Sequence, residues 1–135
     1  MDEASGWYDQ GGGDVDSRHN YFYPLRVRPG GRAVALSEYG GIAWPMPGHE
    51  PPGRTYGYGT AKDKADLTKR YKKLQLKTVL PQLKNGLSAL VYTQVSDVED
   101  EVNGLFTYDR TALKPDASAV RSCNAALAAE FARIT

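Results

Sequence analysis

A short apolar run, Ala33-Val34-Ala35-Leu36, ends in Ser37-Glu38-Tyr39, and two glycines, Gly40 and Gly41, follow Glu38 closely. A carboxylate at the C-terminal end of a buried strand is where barrel enzymes place catalytic groups. The same pattern also fits a strand-end glutamate that is merely solvated or bonded to a neighbouring loop. His19 and Tyr21 are separated by one residue in a strand-like stretch, so their side chains emerge on one face. A tyrosine hydroxyl and an imidazole there could hold a carboxylate on the adjacent strand in its ionised form. The plainer alternative is a half-buried pair satisfied by local contacts.

A second concentration of acidic groups, Asp97, Glu99, Asp100 and Glu101, lacks the alternating ligands, central glycine and terminal glutamate of a calcium loop. It reads as a loop with some members hydrogen-bonded and the rest solvated. Gly11-Gly12-Gly13 followed by Asp14 is neither a phosphate loop nor a dinucleotide fingerprint. No nucleophile elbow or metalloprotease helix is present. The single cysteine, Cys123, cannot form an intrachain disulfide, and no Cys/His group has zinc-ligand spacing.

Three strands must position these groups. They are expected over 14–21, from residue 33 through Ser37-Glu38-Tyr39, and over 87–95, the last two apolar enough for parallel strands buried on both faces. A helix is expected from residue 61 toward 83, with Thr60 as N-cap and Leu67, Tyr71, Leu74 and Leu83 near one face. Pro81 should disturb its last turn, and Asn85-Gly86 should stop it. A second helix runs from its cap Asp116 to about residue 133, with Val120, Leu127, Phe131 and Ile134 as its stripe. Strand, long helix and strand make a βαβ unit. Between strand and helix, residues 43–59 hold four prolines and four glycines, which marks a functional or disordered loop. Trp44, Tyr56 and Tyr58 argue against disorder. They could stack on a ligand ring or fold back as a plug.

With 135 residues, the chain has the size of one domain. Its net charge of +1 argues against a dedicated nucleic-acid binder. Its longest apolar run is far too short for a membrane span, so no membrane partner is expected. The first residues, MDEASGW, have neither a basic segment nor an apolar core, so they do not read as a signal peptide, and a cytoplasmic location follows if that N-terminus is authentic.

Several blocks occur together in chain order: Ala4-Ser5-Gly6-Trp7, Gly13-Asp14-Val15, His19-Asn20-Tyr21 and Leu36-Ser37-Glu38-Tyr39-Gly40-Gly41. They continue through Val91-Tyr92-Thr93-Gln94-Val95-Ser96-Asp97-Val98-Glu99, Glu101-Val102-Asn103-Gly104-Leu105 and Thr107-Tyr108-Asp109-Arg110. Taken together they resemble glycoside hydrolase family 2, which includes β-galactosidases, β-glucuronidases and β-mannosidases. The resemblance covers nearly the whole chain and is most specific from Tyr92 to Arg110.

The resemblance implies an α/β fold, a partial (β/α)8 TIM barrel. Residues 1–135 would be the C-terminal segment of the catalytic domain, about the last three β/α units, with the Pro/Gly-rich loop after the second strand. It implies retaining hydrolysis of O-glycosidic bonds in β-glycosides, with Glu38 as nucleophile, a β-linked carbohydrate as partner, and no metal or cofactor. His19 and Tyr21 would match a His-x-Tyr pair beside the nucleophile, and Tyr92, Gln94 and Asp97 would lie near the sugar, with Trp44 as a candidate stacking residue. Many relatives carry tryptophan at or near the position of Tyr92. The family's general acid/base is the glutamate of an Asn-Glu pair, and this sequence contains no such pair. That absence leaves two expectations, an inactive piece of a glycosidase or a non-catalytic carbohydrate-binding module, with self-association through open barrel edges.

Overall fold

A computed structural model describes residues 6–22, 24–28 and 30–135. Strand β1 is Val15–Asn20, β2 is Ala33–Gly40 and β3 is Leu87–Thr93. They form one parallel sheet in the order β1-β2-β3. Helix α1, Lys64–Lys73, runs through a π-helical stretch, Leu74–Val79, into α2, Leu80–Leu83, and α3 is Ala117–Ile134. The expected barrel is corrected to a small open α/β sheet of three strands. A barrel closes only when every strand is paired on both sides; here β1 and β3 are each paired to β2 alone among the described residues.

The helix between β2 and β3 starts later than expected. Asp63, not Thr60, is its cap, accepting the Asp66 amide at 2.8 Å. Its buried positions are Leu67, Tyr71, Gln75, Val79 and Leu83, each four residues apart. In an α-helix such a stripe drifts by about 40° per step. The wider π turns take up the drift, and they end where Pro81 lacks the amide that a regular turn would use. Leu74, expected on the buried face, is only partly buried, and the polar Gln75 is enclosed instead.

Val34 and Leu36 of β2, Leu87 of β3, Val79 and Leu83 of the central helix and Leu127 of α3 form the core with Leu25 and Val27. The helices thus cover one face of the sheet. Ser88, Ala89 and Val91 are exposed, so β3 is not buried on both faces as its apolar run suggested. α3 is capped by Asp116 at 2.8 Å as expected, but Phe131 and Ile134 of its expected apolar stripe are exposed. No helix among the described residues is long and apolar enough to cross a membrane.

Candidate functional site

β-Strand side chains alternate between faces, and an extra residue reverses the alternation beyond it. The register of β2 against β3 slips between Leu36 and Tyr39, and that of β1 against β2 slips between Arg18 and His19. Leu36 and Tyr39 therefore both join the helix-side core, where the Tyr39 hydroxyl donates to Gln75 Oε1 at 3.1 Å. Ser37 and Glu38 lie between them and turn the other way. Ser37 Oγ meets Ser17 Oγ at 2.6 Å, and Glu38 meets the residues at the end of β1.

The Tyr21 hydroxyl donates to Glu38 Oε2 at 2.9 Å, and His19 Nδ1 lies 3.2 Å from the same oxygen. The imidazole atom is buried and, although within ion-pair range, lacks the alignment of a hydrogen bond. Burial, reinforced by the neighbouring Glu38 carboxylate, pushes the Tyr21 hydroxyl well above the usual phenol range, so it remains a donor through alkaline pH. The backbone around this pair admits only glycine. A side chain at Gly6 would collide with the His19 ring, and Gly6 O accepts the His19 amide at 2.8 Å. Gly41 has φ +62, and a β-carbon there would stand 2.5 Å from Tyr58 Cδ2 and 2.9 Å from Tyr21 Cε1.

Glu38 opens into a cleft of about 270 Å³ that is lined also by Tyr21, Tyr58, Thr93, Gln94, Val98, Glu99 and Glu101. This lies at the small end of ligand cavities and suits one ring-sized group. Tyr58 stacks on Tyr21 with centroids 4.1 Å apart and planes at 18°. Phe22, Tyr56 and Trp7, all substantially exposed, continue the aromatic wall. A larger open groove beside Lys64, Lys69 and Lys72 on α1 has none of these convergent groups.

The opposite wall is a rigid loop. Lys114 Nζ, completely buried, donates to both Asp97 oxygens at 2.7 and 3.0 Å and to Val102 O at 2.9 Å, while the Gly104 amide donates to Asp97 Oδ1 at 2.8 Å. Burial pushes the Asp97 carboxyl up and the Lys114 ammonium down, each partly offset by the other. Gln94 Nε2 donates to Glu101 Oε2 at 3.0 Å and to Asn103 Oδ1 at 2.7 Å, and Asn103 Nδ2 reaches the same Glu101 oxygen at 3.1 Å. Residues 43–59 are strapped to this loop through Trp44 N to Val102 O at 2.9 Å, Tyr56 N to Asp100 O at 2.6 Å and Val102 N to Tyr56 O at 2.9 Å. His49 pairs with Asp109 at 2.7 Å. These bonds account for an ordered segment despite its prolines and glycines.

Of the residues singled out in the sequence, Glu38, His19, Tyr21 and Gln94 come together here. Trp44 does not reach the cleft; it is buried against Ala61 and Leu67, the plug alternative. Tyr92 packs between Tyr39 and Tyr71 under Gly40, on the helix side. Asp97 is a structural anchor that places Glu99 and Glu101 rather than a group facing the cleft. Thr93, Glu99 and Glu101 were not legible as site residues, and Tyr58 was legible only as one of three loop aromatics. Compared with family models and with curated proteins, the chain matches none.

The buried phenols give a prediction for stability. Burial raises the hydroxyls of Tyr39, Tyr92 and Tyr71, the last to about 12 from an ordinary 10.0. Above pH 10 the unfolded chain loses these protons first, so the stabilisation present below that pH is lost as pH rises through the folded values. Urea unfolding followed alongside tyrosinate absorbance should show the midpoint falling above pH 10, with tyrosinate appearing together with unfolding. Full ionisation of all tyrosines near pH 10 in a still-folded protein would refute it.

Proposed function

We propose that the protein carries the nucleophile half of a retaining hydrolase of O-glycosidic bonds in β-linked carbohydrate, with Glu38 as nucleophile and without the acid/base half that full turnover requires. The observation that carries this reading is the Glu38 carboxylate itself, held by the Tyr21 hydroxyl at 2.9 Å beside His19, yet 44% exposed toward an aromatic-walled cleft. This Glu38–Tyr21–His19 arrangement is also the one implied by the resemblance to glycoside hydrolase family 2. A Glu38 oxygen would bond to the anomeric carbon as the bond to the leaving oxygen breaks, giving a glycosyl ester. Water then attacks the same carbon and releases Glu38, so two inversions retain the configuration. Tyr21 is a positioning residue: its hydrogen bond to Oε2 orients the Glu38 carboxylate and fixes which oxygen is free to attack.

Retaining chemistry also needs a second carboxyl about 5 to 5.5 Å away to protonate the leaving oxygen. The Asn-Glu pair that would supply it by resemblance is absent from the sequence, which favours a second reading, a non-catalytic carbohydrate-binding module. A 2-fluoro β-glycoside with a dinitrophenolate leaving group separates the two, since that group departs without a proton. We expect mass spectrometry to find a glycosyl adduct on Glu38, no adduct in Glu38→Gln, and no more than trace turnover on simple aryl β-glycosides. Binding of methyl β-glycosides without any adduct would leave the binding module. Neither binding nor adduct in folded protein would reject both readings.

A further inference from the structure

We propose that the cleft selects its glycoside by charge, taking neutral and amino pyranosides and rejecting uronides, and that Glu101 is the residue imposing the selection. This rests on the reading of the cleft as a pyranoside site and specifies its substrate class. The described lining contains three carboxylates, Glu38, Glu99 and Glu101, and neither lysine nor arginine. Lys114, which braces the loop, is fully buried and committed to Asp97 and Val102 O. Arg18 is paired with Asp16, Arg32 with Asp9, and His49 with Asp109, while His19 sits behind Glu38, its Nδ1 buried 3.2 Å from Glu38 Oε2 and outside the cleft lining. Arg110 lines a different surface with Val95, Ser96 and Phe106. A sugar carboxylate entering the cleft would face three carboxylate side chains and no lysine or arginine in the lining to pair with it, so its charge would be opposed rather than compensated.

Glu101 is built to read the ligand. Gln94 and Asn103 both donate to its Oε2, so Oε1 is left able to accept a proton from a hydroxyl or an ammonium. Its loop is fixed by the buried Asp97–Lys114 pair and the straps from residues 56 and 44, so the carboxylate cannot swing away at little cost. A flexible surface glutamate would be screened and displaced by a charged ligand; one held on a braced loop is not.

The test uses the full chain and methyl β-pyranosides of gluco and galacto configuration, each as neutral sugar, 2-amino sugar and uronate. Affinities are measured by calorimetry or ligand-observed NMR at pH 6.5 in low and high salt. In at least one configuration, the uronate should bind at least about tenfold more weakly than the neutral sugar at low salt, and the amino sugar at least as tightly. High salt should narrow the series. Glu101→Gln should reduce the neutral-over-uronate preference by at least about fivefold, with Glu99→Gln as the second variant should the first not fold. Equal binding of neutral sugar and uronate, or an unchanged preference in the folded variant, overturns charge selection and leaves the carbohydrate reading standing. Absence of binding by all of them overturns charge selection, and together with absence of the Glu38 adduct it overturns the carbohydrate reading as well.

Discussion

Lys114→Met should destabilise the protein by about 3 to 5 kcal/mol, because it leaves the buried Asp97 carboxylate without its counter-charge. The side chains of both partners are essentially excluded from solvent, and the ammonium makes three hydrogen bonds that methionine cannot make. Domains of this kind are commonly stable by only about 5 to 15 kcal/mol, so the loss would be visible as a large fall in the urea midpoint. Asp97→Asn combined with Lys114→Met should recover part of the loss, since it removes the orphaned charge while keeping an acceptor for the Gly104 amide. A single substitution costing less than about 1 kcal/mol would show that the pair does not brace the loop. The same loop carries Glu99 and Glu101, so glycoside binding should weaken in Lys114→Met even at temperatures where it remains folded.

The second large effect is expected from Gly41→Ala, and it should fall on the site more than on the fold. Gly41 has φ +62, a conformation that costs an alanine about 1 kcal/mol. Its new methyl group would also lie 2.5 Å from the Tyr58 ring and 2.9 Å from the Tyr21 ring. These rings are stacked 4.1 Å apart, and Tyr21 is the donor to Glu38. Relief of the clash must move at least one ring, with an overpacking cost of about 1 to 3 kcal/mol. We expect the rate of Glu38 labelling by the activated 2-fluoro glycoside to drop at least about tenfold, equivalent to about 1.4 kcal/mol, while the helix content of the folded protein is retained. Unchanged labelling would mean that the Tyr21–Glu38 contact does not set the reactivity of Glu38. Tyr21→Phe provides the comparison, since it removes the donor without the steric push.

The two helices were legible because their signals are local: Asp116 caps its helix as the sequence indicates, and Leu67, Tyr71 and Leu83 are buried where their spacing places them. The true cap of the first helix, Asp63, was missed because Thr60, three residues earlier, is also a residue type that caps helices. Only the chain's path into the helix decides between them. The π stretch before Pro81 and the burial of Gln75 were also illegible, because Gln75 is buried for the hydroxyl of Tyr39, a strand residue far away in sequence. Apolarity misled in β3, whose outward face the described chain leaves exposed.

The sequence by itself determined that Glu38 follows an apolar strand, that His19 and Tyr21 share a face, and that the loop over 43–59 is rich in turns and aromatics. Those are properties of residue type and spacing. The tertiary structure decided that the three strands form an open sheet rather than a barrel, since strand pairing joins residues distant in the chain. It also decided what Glu38 meets. The register slip between Leu36 and Tyr39 turns Tyr39 into the helix-side core and Glu38 toward Tyr21. The brace between Asp97 and Lys114 sets Glu101 across the cleft. A slip of one residue changes which face a side chain occupies, and no local pattern in the sequence records where that slip falls.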